Sequence, residues 1–531
     1  MKIYDRPVSG RAMRAALARS ERGWEVTLSA AGGSSELLYV QIVQAVVTDI
    51  RRGRLVPGQR LPGSRTLAER LGVHRNTVLT AYAELQAEGW IRADRARQTC
   101  VCEALPEVAQ TAAPRARRAS ARLGFPLARR TSVDDREVAA GELLSDGTPD
   151  LRLAPRVALA RAYRHVLRGR DVSLLGYGDT RGHVRLRRAL AGMLSATRGL
   201  RVSAEDVLVT RGSQMALELV GRVLCGPQDV VAVESLGYRP AWHALGAGGA
   251  KLVPVPVDAE GLRVDVLAEL AQRRPLRAVY VTPHHQYPTT ATLSAARRMA
   301  LLELARRRHF AIIEDDYDHE FHYQGRPVLP LASADEAGVV VYVGTLSKIF
   351  APGLRLGYLV APAALLERCV EQRMRMDRQG DLVTECAMAD LIEDGELQRH
   401  VRRMRRVYQT RRDALVASLE RYLPGVLVAA APPGGMALWA RAHCVDIDRW
   451  AARAAEQGQV MWTARTFSFE QRPEPFVRLG FALRTADESA REIERLARCR
   501  PGASRSARQP RATSKTNLRT SGSREGTRQS L

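Results

Sequence analysis

Val339-Val-Val-Tyr-Val343 runs directly into Gly344-Thr-Leu-Ser-Lys348-Ile-Phe-Ala-Pro-Gly-Leu-Arg355-Leu-Gly357. The apolar run, unbroken by polar residues, predicts a strand buried on both faces of a sheet. Ligands of such sheets bind at the carboxyl ends of strands, so the residues after the run carry weight. They are a lysine among small hydroxylated residues and, seven positions later, an arginine. That pattern suits an amine that forms a Schiff base beside a phosphate clamp. Composition sharpens the point. Lysine occurs four times, at Lys2, Lys251, Lys348 and Lys515, against 81 Lys+Arg in all. Lys251, in Gly-Ala-Lys-Leu-Val-Pro, reads as an incidental surface residue.

Further apolar runs in the same region end in residues of matching chemistry. Ala311-Ile-Ile is followed by Glu314-Asp315-Asp316-Tyr317-Asp318. A carboxylate there could hold a pyridine nitrogen protonated, and a phenol two residues on could bond a ring oxygen. Val207-Leu-Val leads to Thr210-Arg-Gly212-Ser213-Gln214 and a helix. Backbone N–H groups at that helix start, with the serine hydroxyl, would cradle an anion. Val230-Val-Ala-Val precedes Glu234-Ser-Leu-Gly-Tyr238, which offers an aromatic face for stacking, and Ala278-Val-Tyr-Val is a further run. His284, His285, Asp315, His319 and His322 lack tight ligand spacing, so no metal site is expected.

A second block lies earlier in the chain. Tyr39, Val43, Val46 and Ile50 recur at helical spacing before Gly53. After the turn-rich connector Leu55–Pro62, Ser64 can cap a short helix over Arg65–Leu71. Gly72-Val73 makes a turn into a helix from about His74 to Glu88, with Val78, Tyr82 and Leu85 facing inward. Trp90-Ile-Arg and Thr99-Cys-Val read as two short strands around Ala93–Gln98. The pattern is a winged helix-turn-helix, whose second helix starts with His74-Arg75-Asn76-Thr77 and suits the major groove. There Arg75 would pair with guanine, Asn76 with adenine and Thr77 with phosphate; Arg65 and His74 complete the expected DNA contacts.

The chain has 531 residues, long enough for two or three domains at roughly 100–200 residues each. Its net charge of +24 favours a polyanionic partner. No stretch approaches the roughly 18–20 apolar residues of a membrane helix, and Met1–Ser20 has no apolar signal region. Seven scattered cysteines fit reduced thiols and a cytoplasmic setting. The expected organisation is an arm (1–35), the winged helix-turn-helix (36–103), an Ala/Arg/Pro-rich linker (104–140), a large α/β domain (141–499) and a disordered basic tail (500–531).

The stretch IRRGRLVPGQRLPGSRTLAERLGVHRNTVLTAYAELQAEGWIR (50–92) closely resembles the winged-helix domain of the GntR family of bacterial regulators. That family usually carries a wing glycine, which Arg97-Gln98-Thr99 lacks. Residues 145–485 resemble the fold-type I aminotransferases, which use pyridoxal 5′-phosphate (PLP). The phrases LGYGDTRGH, TPHHQYPT, EDDYDHEF and LSKIFAPGLRLGY, with both blocks in this order, are similar to the MocR subgroup of GntR-type regulators.

The resemblance implies a large parallel-type sheet domain with a smaller α+β C-terminal part. It implies that Lys348 carries PLP, Asp315 pairs its pyridine nitrogen, Tyr317 meets its ring oxygen and Tyr238 stacks on the ring. Gly212, Ser213, Gln214, Thr345, Ser347 and Arg355 would complete cofactor binding, and Arg478 would take an effector carboxylate. The loop Tyr280–Thr290 departs from the aminotransferase Asn-Pro-x-Gly pattern in lacking both Asn and Gly; His285 or Gln286 takes the Asn place. The implied protein is a DNA-binding transcription regulator, a head-to-tail homodimer on operator DNA. Its PLP-binding domain senses PLP, an amine or an amino acid with no net turnover. The alternative is a working aminotransferase with an appended DNA-binding module.

Overall fold

The computed structural model describes residues 38–93, 98–105, 142–144, 147–325 and 327–501, with the backbone of two short paired strands, Ala18–Arg19 and Glu25–Val26. The wing tip and most of the expected arm, linker and tail lie outside the described residues. The chain divides into two compact units, Met1–Arg129 and Arg130–Leu531.

In the first unit, α1 (Leu38–Arg51), α2 (Ser64–Leu71) and α3 (Arg75–Ala87) close over one apolar core of Ile42, Val46, Leu67, Val78, Leu85 and Trp90. Gly72 ends α2 in the left-handed conformation, φ 63°, which is cheap for a residue without Cβ. Ser64 does not cap α2. The N-cap is Gly63, and the Ser64 hydroxyl, one residue inside the helix, accepts a bond from Arg75 Nε at 3.4 Å. The cap of α3 is His74, whose Nδ1 accepts from the Asn76 N–H at 3.2 Å. The strands β1 (Ile91–Ala93) and β2 (Thr99–Val101) pair antiparallel, and Arg60 adds a bridge to Cys100, a third short edge that the connector pattern did not signal.

The second unit is built on a seven-stranded sheet of β3 (Val207–Thr210), β4 (Val230–Glu234), β5 (Lys251–Val255), β6 (Ala278–Val281), β7 (Ala311–Asp316), β8 (Val340–Thr345) and β9 (Gly357–Val360). The order across the sheet is β3-β9-β8-β7-β6-β4-β5. All neighbours run parallel except β9, which is antiparallel to both β8 and β3. The sheet is therefore mixed. β9 follows β8 by a short return that carries Lys348 and Arg355, and so short a connection between neighbours dictates the antiparallel sense.

β3, β6, β8 and β9 are buried along their whole length, as strands covered by helices on both faces must be. Two strands run further than the apolar runs suggest. β7 continues through Asp316 and β8 through Thr345, because Asp315 and Asp316 pair in register with Val343 and Gly344. Polar residues thus enter the buried ends of strands. A smaller C-terminal part holds a three-stranded antiparallel sheet, β10 (Leu427–Val428), β11 (Ala437–Ala442) and β12 (Phe476–Gly480), with a separate core around Trp450, Phe481 and Leu496.

Candidate cofactor pocket and nucleic-acid interface

Register brings distant residues into one row. Thr210 at the end of β3 lies opposite Gly357 on β9, and Gly357 lies opposite Thr345 at the end of β8. Gly212, φ 81°, then turns the chain into the helix Ser213–Leu224. A Cβ on Gly357 would sit 2.6 Å from the Gly212 carbonyl carbon, and a Cβ on Gly212 would sit 3.2 Å from Arg355 Nη2. The Arg355 guanidinium therefore lies against the turn that opens the helix, with Nη2 bonded to the Arg211 carbonyl at 2.9 Å. No carboxylate of the described residues pairs with it. A cavity of about 330 Å³ adjoins, lined by Thr210, Arg211 and Arg355. The N–H groups of a helix start, beside a guanidinium that no such carboxylate neutralises, suit an anion. The Gln214 amide instead holds the Pro240 carbonyl, 3.0 Å, and Thr345 Oγ1 accepts the Ser347 N–H at 3.1 Å, tying down the turn that carries half-buried Lys348.

At the end of β7 two adjacent carboxylates face opposite sides of the sheet and diverge. Burial pushes Asp315 up to about 7. Tyr280 Oη, on the neighbouring strand, donates to Asp315 Oδ2 at 2.8 Å, while Asp315 Oδ1 is buried with no partner among the described residues. Asp316 is held below the carboxylate range: burial alone would raise it, but the His319 and His284 imidazoles and Arg198 outweigh that. The sequence reading left Tyr280 without a role, since nothing local to Val279-Tyr-Val announces a partner 35 residues on.

Tyr317 Oη donates to the His285 carbonyl at 2.9 Å, and burial raises its pKa far above the phenol value. Tyr238 stands at the start of the helix Arg239–Gly246, edge-on to Tyr287 at 5.6 Å. The His285 ring is directed elsewhere. Its Nδ1 meets Asp318 Oδ1 at 2.8 Å, and a Cβ on Gly434 would fall 2.4 Å from its Nε2. The part of His285 that Tyr317 meets is thus its backbone. The Gln286 side chain is spent on protein backbone and Thr289, donating to the Leu236 and Tyr287 carbonyls and accepting from Thr289. Arg478, on β12, is 1% exposed. Its Nη1 donates to the Pro288 carbonyl at 2.8 Å, its Nε has no partner, and its carbon lies 4.6 Å from the Tyr287 ring centre.

PLP fits these residues on one observation above all: a fully buried carboxylate oxygen without a donor, at a strand end, is what a protonated pyridine nitrogen would satisfy.

On the first unit, Arg65, His74, Arg75 and Asn76 are exposed and Thr77 is half-buried, all around the start of α3. The Arg75–Ser64 bond ties α2 to α3 at that end.

A winged helix-turn-helix joined to a fold-type I aminotransferase-like domain defines the class: a DNA-binding regulator with a PLP-related domain. Residues 38–101 match the family model for bacterial regulatory proteins, gntR family, and residues 139–496 match aminotransferase class I and II. The probable rhizopine catabolism regulatory protein MocR of Rhizobium meliloti is 34% identical over 84% of this chain and 90% of its own length. The HTH-type transcriptional regulator TauR of Rhodobacter capsulatus is 34% identical over 82% of this chain and 91% of its own. Among solved structures, α-aminoadipate aminotransferase LysN of Thermus thermophilus, complexed with N-(5′-phosphopyridoxyl)-L-leucine, superposes with TM-score 0.63 at 28% identity, covering 68% of this chain and 92% of that one. This chain belongs to the MocR-type GntR regulators. No helix among the described residues is long and apolar enough to cross a membrane.

Proposed function

We propose that the protein is a cytoplasmic, homodimeric regulator that binds operator DNA through α3 and senses PLP, an amine or an amino acid in its second unit. Bound PLP would supply an electrophilic carbonyl for primary amines and a ring that withdraws electrons. Lys348 would hold it covalently. Asp315, braced by Tyr280, would keep its ring nitrogen protonated. Tyr317 would bond its ring oxygen and Tyr238 would cover its face. Gly212, Ser213, Thr345 and Arg355, with the Gln214 backbone N–H, would hold its phosphate end, Ser347 would complete the cofactor site, and Arg478 would take an effector carboxylate.

The observation that carries this reading is the unpartnered Asp315 Oδ1. Dimerisation is supported by exposed apolar side chains at Val157, Leu167, Val172, Leu175 and Tyr177, with Met374 and Met376 exposed as well. The alternative, a working aminotransferase, is favoured by the completeness of the pocket. It is disfavoured by the Tyr280–Thr290 loop, where the Gln286 amide is consumed by the Leu236 and Tyr287 carbonyls.

The test is operator affinity of full-length protein with and without PLP at one fixed salt, because phosphate contacts make affinity steeply salt-dependent. Regulation requires a coupling of about 1–3 kcal/mol, roughly 5- to 150-fold in either direction, and the same factor in the effect of operator on PLP affinity. Equal affinity in both states, with no amine able to shift it, refutes a sensor. Product beyond one equivalent from amino acid plus 2-oxo acid establishes the enzyme instead.

A further inference from the structure

Arg478 is surrounded by rings. Trp439 is its Cα partner across β11 and β12, so both side chains stand on the same face of that sheet. Phe467, 3% exposed, receives three rings edge-on: Tyr287 at 5.5 Å, Trp462 at 6.0 Å and Trp439 at 6.1 Å. Tyr287 continues the chain of rings back to Tyr317 at 6.0 Å and Tyr238 at 5.6 Å, the two phenols of the candidate pocket. In a protein only 5% aromatic this concentration calls for a reason. Phe467 is buried, but Tyr287, Trp439 and Trp462 around it are only half-buried, so core packing alone does not account for them.

Charge around the rings is one-sided. No carboxylate of the described residues pairs with Arg478. The other cations nearby are committed or turned away: Arg465 lies 3.7 Å from Asp448, and the exposed Arg441 is over the far ring, Phe476, at 6.0 Å. One buried guanidinium can take one carboxylate. A ligand side chain with a second carboxylate would enter a wall of rings that offers it no countercharge. A flat apolar side chain is the kind that ring faces and edges attract.

We infer that the effector is an α-amino acid with an aromatic side chain, its carboxylate on Arg478 and its ring among Tyr287, Trp439, Trp462 and Phe467. The inference rests on the pocket reading above and adds the chemical class of ligand.

PLP-saturated full-length protein is titrated with L-phenylalanine, L-alanine and L-glutamate, following visible absorbance and melting temperature together. L-Phenylalanine should act at a concentration at least about 10-fold below that of L-alanine, with L-glutamate weakest. Phe467→Ala and Trp439→Leu should erase that preference while leaving the L-alanine response within about two-fold. Trp439→Leu keeps an apolar side chain, so a folding defect in the alanine variant does not end the test. L-Alanine or L-glutamate acting at an equal or lower concentration overturns the inference, as does a preference that survives in both variants. If PLP produces no visible band, the pocket reading has failed separately. The melting temperature of the PLP-free chain with the same three amino acids then decides the side-chain class: a rise specific to L-phenylalanine upholds it, and its absence overturns it.

Discussion

Tyr280 on β6 donates to Asp315 on β7, Oη to Oδ2 at 2.8 Å, and leaves the other carboxylate oxygen buried and empty-handed. The bond orients the carboxylate so that its free oxygen is held for a donor from outside the chain. Tyr280→Phe should therefore weaken PLP binding by about 10- to 100-fold, the worth of one hydrogen bond to a charged group at about 1.5–3 kcal/mol. Titration of the visible band measures it; unchanged affinity would mean that packing alone orients Asp315.

The same carboxylate makes stability depend on pH. Its folded value, about 7, lies above the ordinary 3.8, so the folded chain binds the extra proton. The associated stability is fully present below about 4 and is lost as pH rises through about 7. Glu314 and Glu234, raised by burial to about 7 and about 8, act in the same direction. PLP-free Asp315→Asn should show a shallower fall over pH 4–7, by up to about 1.4 kcal/mol per pH unit. Urea unfolding at several pH values reads this directly, and an unaltered slope places the titration elsewhere.

Lys348→Ala should abolish the visible band, and borohydride should fix PLP to Lys348 in the wild type. Label on the exposed Lys251 would show that the pocket does not select its lysine. Arg355→Ala should retain the band and weaken PLP about 10- to 100-fold, as loss of a charge-assisted clamp of about 1.5–3 kcal/mol requires.

Gly357→Ala would press a methyl group against the Gly212 and Ser213 backbone, at 2.6 to 2.9 Å, where no side chain can yield. A loss of about 1–3 kcal/mol is expected, together with weaker PLP binding because the phosphate turn is displaced. Gly353→Ala, with open space around its Cβ, is the control.

Arg75→Ala should reduce operator preference by about 1–3 kcal/mol if Arg75 reads a guanine, with PLP affinity intact. Competition between operator and random DNA separates this from a phosphate contact, whose loss weakens both alike.

The architecture was legible where the physics is local. Unbroken apolar runs at 207–209, 230–233, 278–281 and 339–343 mark strands because a strand covered on both faces has no polar side to show. Gly72 marks the turn between α2 and α3 because the left-handed conformation disfavours a Cβ. The uniqueness of Lys348 among arginines was likewise readable residue by residue. Ser64 misled as a cap because a serine's position relative to a helix start is known only once the helix is built.

The rest depended on register. Tyr280 finds Asp315, Thr210 lines up with Gly357 and Thr345, and Trp439 stands opposite Arg478, all through strand pairings between segments far apart in the chain. No local pattern encodes such partners, since a shift of one residue would send every side chain to the other face. The chain by itself determined which elements form and which chemical groups sit at their ends. Only the tertiary structure decided which of those groups are satisfied by the protein, as with the His285 ring and the Gln286 amide, and which, like Asp315 Oδ1 and Arg478 Nε, remain buried and uncommitted.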